Sequence, residues 1–324
     1  MNKLKAVSLF SGCGGFDYGL SKCGVDVIWA NDIDYHAASA YKSIFKDVDF
    51  HLEDIRKIDY FPKADILIGC YPCTGFSQAA KRKWKNREER NLKSNPQNFL
   101  FKEFLRAVGQ VKPKFVFVEN VQGMLSASNG YFLNEQIEGF KSLGFSDVKY
   151  KLINGADYGL PQARKRVFLV GKHESIKDFD YCFPEKTHGT GTRKRIRTLQ
   201  DVLKNMVEWP EGEFSETKFH GHYLTRNRKK KWNEPSYTIV ASSSHIPLHP
   251  MGDPMIKVSK DNWALQGEFN RRLSWKECLR IQGLPGRMKI DGNLNAKYKV
   301  VGNSVPPLLS EIVSKPVVDF LTSN

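Results

Sequence analysis

Five short β-rich runs, separated by helical patterns, fill the first 171 residues and constrain the fold more than any other feature. The runs are AVSLF (6–10), VDVIWA (25–30), ADILIG (64–69), KFVFVEN (114–120) and KRVFLVG (165–171). Helical patterns fall at roughly 35–46, 97–111 and 131–143. Strands alternating with helices predict an α/β chain with a doubly wound, mostly parallel sheet covered on both faces. Ligands of such sheets bind beyond the carboxyl ends of the strands. The residues whose chemistry stands out lie just after strands.

After about residue 185 the pattern changes. Residues 186–270 are rich in Gly, Pro, Ser, His and charge, with short β-like pieces such as SYTIVASS (236–243). This predicts a smaller, mostly β or irregular second domain. From 271 a helical pattern returns, in LSWKECLRIQG, and the helix-like tail LLSEIVSKPVVDFL is expected to be interrupted at Pro316.

The formal net charge of +15 favours a polyanionic partner, with nucleic acid the first candidate. The excess is concentrated. Residues 81–93 hold seven Lys/Arg against two Glu, and residues 186–232 hold twelve against five acids. No run of about 18 apolar residues exists, so no membrane span is expected. The opening MNKLKAVSLFSG lacks the apolar core and cleavage site of a secretory signal. Six cysteines without such a signal fit free thiols in a reducing compartment, and a cytoplasmic protein is expected.

SLFSGCGGFDYGL (8–20) is a strand, a glycine-rich turn and a helix start. A dinucleotide fingerprint needs glycine at relative positions one, three and six. Gly12 and Gly14 fit, but the sixth position is Asp17. No Lys-Ser/Thr pair follows, so a phosphate loop is also disfavoured. The turn suits a small nucleoside-type cofactor. Asp32, after the second strand, stands where a carboxylate commonly receives ribose hydroxyls. Asp54 stands where it could meet an adenine amino group.

GCYPCTGFS (69–77) sets Cys70 and Cys73 three apart. A zinc site wants about four ligands, usually as two pairs, and no second pair is suitably spaced. His220 with His222, or His245 with His249, are distant partners, and no metal is expected. A redox pair remains open but leaves the other features unexplained. A single nucleophilic thiolate at Cys73 fits the mouth of the sheet, with Cys70 as a small buried hydrophobe. Glu119-Asn120 closes another strand, and Gln162, Arg164 and Arg166 precede a further one. Cys, Glu and Arg at neighbouring strand ends can converge on one planar base.

Taken together, these segments resemble the DNA cytosine-5 methyltransferases, in the family's order and across nearly the whole chain. SLFSGCGGF resembles the S-adenosyl-L-methionine motif, PCTGFS the Pro-Cys motif, ENV the Glu-Asn-Val motif and QARKR the Gln-x-Arg-x-Arg motif. RRLSWKECLRIQGLP and VGNSVPP resemble the two closing motifs. The resemblance implies a methyltransferase-type fold, with residues 1–185 and 280–324 as catalytic domain and 186–279 as target-recognition domain. It implies Cys73, Glu119, Arg164 and Arg166 as catalytic residues, with Arg164 bracing the base and Glu119. It implies cofactor contacts from Phe10, Ser11, Gly12, Gly14, Gly15, Asp32, Ile33, Asp54, Ile55, Pro72, Asn303 and Val305.

Double-stranded DNA is the implied partner. A monomer, a separately encoded restriction endonuclease and association with the nucleoid go with the bacterial or phage branch. Thr225, Arg226, Thr238 and Ser242 are candidates for base contacts. The alternatives are a tRNA methyltransferase of the same fold and a non-catalytic nucleic-acid binder. Against the first, Cys182-Phe183-Pro184 replaces that branch's Cys-Phe-Thr element; against the second, Cys73, Glu119 and Arg164 are all present. Five positions depart from the family's habit: Tyr71 and Thr74 flank Pro72-Cys73, Asn95 and Gln97 stand for an Asp and an Arg, and Asp32 replaces a Glu.

Overall fold

Strands that are buried on both faces read as continuous apolar runs, and this sheet is built around three of them. The computed structural model describes residues 3–72, 76 and 92–323. In β1 (Lys5–Leu9) everything after Lys5 is buried, β4 (Ile66–Gly69) is wholly buried, and β5 (Phe115–Val121) is buried up to its last residue. They pair in parallel in the order β1-β4-β5 at the centre of a seven-stranded sheet. The remaining strands are β2 (Asp26–Asp32), β3 (Asp49–Leu52), β6 (Asp147–Asn154) and β7 (Lys165–Lys172). The full order is β3-β2-β1-β4-β5-β7-β6.

The expected α/β sheet is present, with one strand reversed. β7 runs antiparallel to both β5 and β6. The cause is the connection: only residues 155–164 separate β6 from β7. A parallel crossover needs a dozen residues or more. The reversal delivers the start of β7 to the carboxyl end of β5, which matters below.

Helices α1 (Gly15–Lys22), α2 (Tyr35–Ile44), α3 (Phe101–Val111) and α4 (Tyr131–Ser142) cover the sheet. In α3 the buried residues Phe101, Phe104, Ala107, Val108 and Val111 form one stripe at helical spacing. The first turn expected at 97–100 is a tighter 3-10 turn (Pro96–Phe99), whose start is capped by Asn95 Oδ1 accepting from the Gln97 amide.

Beyond β7 come α5 (Gln200–Leu203), the hairpin β8 (Ile256–Ser259) with β9 (Asn262–Ala264), α6 (Trp275–Gln282), α7 (Leu294–Asn303) and α8 (Pro307–Ser323). Residues 236–243 form no strand of their own. Ser236 instead makes an isolated parallel bridge to Gln162. α8 continues through Pro316 rather than stopping there. It packs on α1 at Gly19, where an added Cβ would lie 2.1 Å from the Pro307 carbonyl.

Apolar side chains on the two faces of the sheet form two cores. A third unites α2, α6 and α7 with Leu199, Val202, Leu203, Ile239 and Ile246. A small fourth gathers Tyr223, Leu248 and Met255. Among the described residues no helix is long and apolar enough to cross a membrane.

Candidate active site

The turn after β1 is tied to the end of β2. Ser11 N–H donates to the Asn31 carbonyl at 2.9 Å, and Gly12 N–H to Asp32 Oδ2 at 2.8 Å. Asp32 Oδ1 accepts the Asp34 amide at 2.8 Å. Phe10, Gly12 and Gly14 all have positive φ, at 55°, 57° and 81°. For Phe10 that conformation is strained and is held by its surroundings. A Cβ on Gly12 would meet nothing within 4 Å, so space is open above the turn. A Cβ on Gly15 would lie 2.1 Å from the Val305 carbonyl and 2.2 Å from Ser304 Oγ. Only glycine permits that approach, which brings Asn303–Val305 beside the turn.

Burial raises the Asp32 carboxyl above its ordinary range, against the amides that stabilise its charge. Ile33 is 69% exposed and Leu52 44%, so apolar side chains stand uncovered at the ends of β2 and β3. An open glycine turn, a carboxylate and uncovered apolar side chains fit an adenosyl group. Two further expected contacts stand just past the end of β3. Ile55 packs into the core, and its carbonyl accepts from Arg106 Nη2 at 2.9 Å. The Asp54 carboxylate is engaged by Arg56, whose Nε lies 2.9 Å from Oδ1, and that hydrogen bond holds it down to about 2.

Asp17, which broke the dinucleotide pattern, is fully buried beneath the turn. It accepts from Ser8 Oγ at 2.7 Å, and its Oδ2 faces the Tyr41 hydroxyl without a well-formed bond. Burial pushes its carboxyl up to about 6 from 3.8. A raised carboxyl favours folding below its unfolded value, and that stability is lost as pH rises through about 6. The loss is on the order of 3 kcal/mol. Asp17→Asn keeps an acceptor for Ser8 without the charge. Its Tm relative to wild type therefore rises between pH 4 and pH 8, and a pH-independent difference in thermal melts counts against this reading.

At the next strand ends, Glu119 is buried and faces Arg166, whose Nε lies 3.0 Å from Oε1. The β5–β7 register explains the meeting: Glu119 pairs with Phe168, so Arg166 is its diagonal neighbour on the same face. Burial raises the Glu119 carboxyl, while the Arg166 and Arg164 charges pull it down. Asn120 Nδ2 donates to the Tyr71 carbonyl at 3.3 Å, anchoring the segment that leads into Pro72. The Tyr71 hydroxyl donates to Gln136 Oε1, and its ring packs on Phe10 and Phe104. The unusual tyrosine thus serves as an anchor. Pro72 is exposed; Cys73 and Thr74, like most of the basic stretch 81–93, lie outside the described residues.

Arg164 does not brace Glu119. Its guanidinium is fully buried and donates to the carbonyls of Ile239 (2.9 Å), Gly302 (3.0 Å) and Ser304 (3.0 Å). The bracing belongs to Arg166. Gln162 works beside Arg164: its Oε1 accepts the Ile239 amide and its Nε2 donates to Gln282 Oε1, both at 2.9 Å. Gln282 in turn donates to the Val301 carbonyl at 2.9 Å. Gln136 carries no motif signal; Gln282 lies in the RRLSWKECLRIQGLP segment, but its sequence does not assign it this role.

A family model for C-5 cytosine-specific DNA methylases matches residues 4–318. The chain belongs to that family. The methylase is 37% identical to Type II methyltransferase M.BsuRI of Bacillus subtilis, over 98% of this chain and 80% of that protein. It is 36% identical to M.BspRI of Lysinibacillus sphaericus, over 98% and 82%. Among solved structures, a protein described as a prophage-encoded DNA modification methyltransferase in E. coli superposes with a TM-score of 0.73. Identity there is 20%, with 99% and 100% of the two chains covered, a likeness of fold. The methylase acts on carbon 5 of cytosine in DNA, with S-adenosyl-L-methionine as methyl donor.

Family membership makes the Arg164 joint testable through methyl transfer. Arg164→Lys keeps the charge, but a single ammonium lacks the fork that reaches three carbonyls. The expected cost is about 2–3 kcal/mol of stability for the bonds lost, together with a lower kcat/KM. An unchanged Tm and unchanged kinetics would contradict the joint.

Three of the four candidate base contacts in the methylase use their hydroxyls locally. Thr225 Oγ1 donates to the His222 carbonyl at 3.0 Å and Thr238 Oγ1 to the Ala163 carbonyl at 2.7 Å. Ser242 Oγ sits 3.1 Å from His245 Nδ1. Arg226 is exposed.

Proposed function

We propose that the methylase modifies cytosine in duplex DNA through a transient Cys73 adduct, with residues 186–279 selecting the sequence. The observation that carries this is the buried Glu119–Arg166 pair, set beside the Tyr71-Pro72 segment that runs into Cys73. A base inside a duplex is out of reach, so the target cytosine is flipped from the stack.

The Cys73 thiolate attacks carbon 6, forming a C–S bond. Electron density moves to ring nitrogen 3, where the raised carboxyl of Glu119 donates a proton and accepts the exocyclic amine. Arg166 holds Glu119 and favours its return to the carboxylate. Carbon 5, now part of an enamine, becomes nucleophilic. S-adenosyl-L-methionine, when bound, supplies an electrophilic methyl group; Asp32, the Ser11–Gly15 turn, Ile33 and Asn303–Val305 are the residues that would hold it. A base then takes the carbon-5 proton, the electron pair restores the ring double bond, Cys73 leaves carbon 6 as the thiolate, and nitrogen 3 returns its proton to Glu119.

Residues 1–185 and 280–324 form the catalytic domain in this reading. The net charge of +15 supplies phosphate contacts. A monomer serves, because one site can modify each strand in turn. A separately encoded endonuclease partner and a cytoplasmic, nucleoid-associated location complete the proposal.

The test is methyl transfer from labelled S-adenosyl-L-methionine to mixed duplex DNA beside a tRNA control, followed by bisulfite mapping. Label in DNA at one recurring sequence is expected. Label on tRNA alone would refute the substrate.

A further inference from the structure

His245 stands at a seam. The segment that carries it starts at Ile239, whose carbonyl and amide are held by Arg164 and Gln162. Gly302 then packs against the backbone of Val240 and Ala241, where a Cβ would come within 2.4 Å. Next, Ser242, Ser243 and Ser244 line a cleft of about 530 Å³ whose other wall includes His36 of α2 and Asn295 and Lys299 of α7. The segment thus runs from the catalytic joint directly into an open cleft.

The surroundings of His245 are basic and polar. The His222 and His220 rings lie 5.4 Å and 6.4 Å from its ring, and both are exposed. Burial, with the charges of Arg228, His222, His220 and Arg226, holds His245 below the ordinary histidine range, so the imidazole is neutral at physiological pH.

A neutral imidazole has one donor and one acceptor, and here two hydroxyls meet the same ring nitrogen. Ser242 Oγ and Ser244 Oγ lie 3.1 Å and 3.0 Å from Nδ1, and 3.0 Å from each other. With Nδ1 as acceptor, the two hydroxyl protons find two acceptors within the triangle. With Nδ1 protonated, one hydroxyl proton must turn out of the triangle. The first arrangement leaves the ring proton on Nε2. Among the described residues no protein acceptor meets Nε2–H.

We propose that His245 is a specificity-determining residue whose Nε2–H donates to a hydrogen-bond acceptor on a base edge of the DNA. Ser242 and Ser244 set its tautomer and do not themselves read the base. This rests on residues 186–279 being the recognition region. Donors of fixed direction discriminate bases, because only some edges present an acceptor at that point in the groove.

The experiment methylates a duplex library, randomised around the wild-type sequence, and maps it by bisulfite. His245→Leu is expected to lower discrimination at one base position about tenfold or more. His245→Gln, whose amide offers a donor in place of Nε2–H, is expected to keep most of it. Ser242→Ala/Ser244→Ala, which frees the tautomer while keeping the ring, is expected to relax the same position in part.

Several results would overturn the proposal. One is a His245→Leu profile scaled down equally on all sequences with a shallower salt dependence, which marks a phosphate contact. A profile identical to wild type is another, as is a double-serine variant that relaxes a different position. Failure of the wild type to label any duplex defeats the DNA reading itself, and this proposal with it.

Discussion

Cys73→Ser lowers methyl transfer by roughly 10⁴-fold or more, as expected when a covalent nucleophile is lost. Duplex DNA carrying 5-fluorocytosine separates this from a folding defect. The fluorine cannot leave carbon 5 as a cation, so elimination stops and wild-type protein stays attached through the C–S bond. A denaturing gel should show the shifted adduct for wild type and none for Cys73→Ser, with both proteins melting alike. Cys70 is the internal control. Its thiol is pushed well above the ordinary range, first by burial and then by the nearby Glu119 charge. It packs with the core on one face of the sheet. Cys70→Ala should therefore keep transfer within a few-fold of wild type. Retained transfer in Cys73→Ser, or an adduct lost only in Cys70→Ala, would reverse the assignment of the two cysteines.

The central strands and the glycine turn were legible because one force dominates each. β1, β4 and β5 are buried on both faces, so their sequences are unbroken apolar runs. β3 and β6 escaped notice because they are edges. β3 has four residues, and β6 exposes Tyr150 and Lys151, which blunts its hydrophobic pattern. The site shows the same division. Strand ends placed Asp32 and Glu119 at the mouth of the sheet. The division of labour between Arg164 and Arg166 was not legible, since the two straddle the start of β7 in one motif and carry the same side chain. It is set by the carbonyls of Ile239, Gly302 and Ser304, which lie 75, 138 and 140 residues away in the chain. The partners of the Thr238 and Ser242 hydroxyls were hidden for a similar reason. An acceptor brought close by the fold leaves no mark in composition.

Glu119→Gln lowers kcat by about 10²–10⁴-fold, the usual worth of a positioned proton donor. Glutamine fills the same space and still hydrogen-bonds, but it cannot transfer a proton to ring nitrogen 3. DNA binding should change little, so the loss falls on kcat rather than KM. The pH profile decides whether proton transfer is the cause. Burial raises the Glu119 carboxyl, so the protonated form persists further toward neutrality than for an ordinary glutamate. As pH rises through that raised value, the donor is lost and the wild-type rate falls. The Cys73 thiolate titrates in the opposite sense, so the two limbs are separable. The residual rate of Glu119→Gln should lack the falling limb and keep the rising one. Because the substitution removes the counter-charge of Arg166, 3.0 Å away, some loss of Tm is expected too. A lower Tm with the falling limb intact would leave Glu119 a structural partner of Arg166. The limb's disappearance makes it the proton donor.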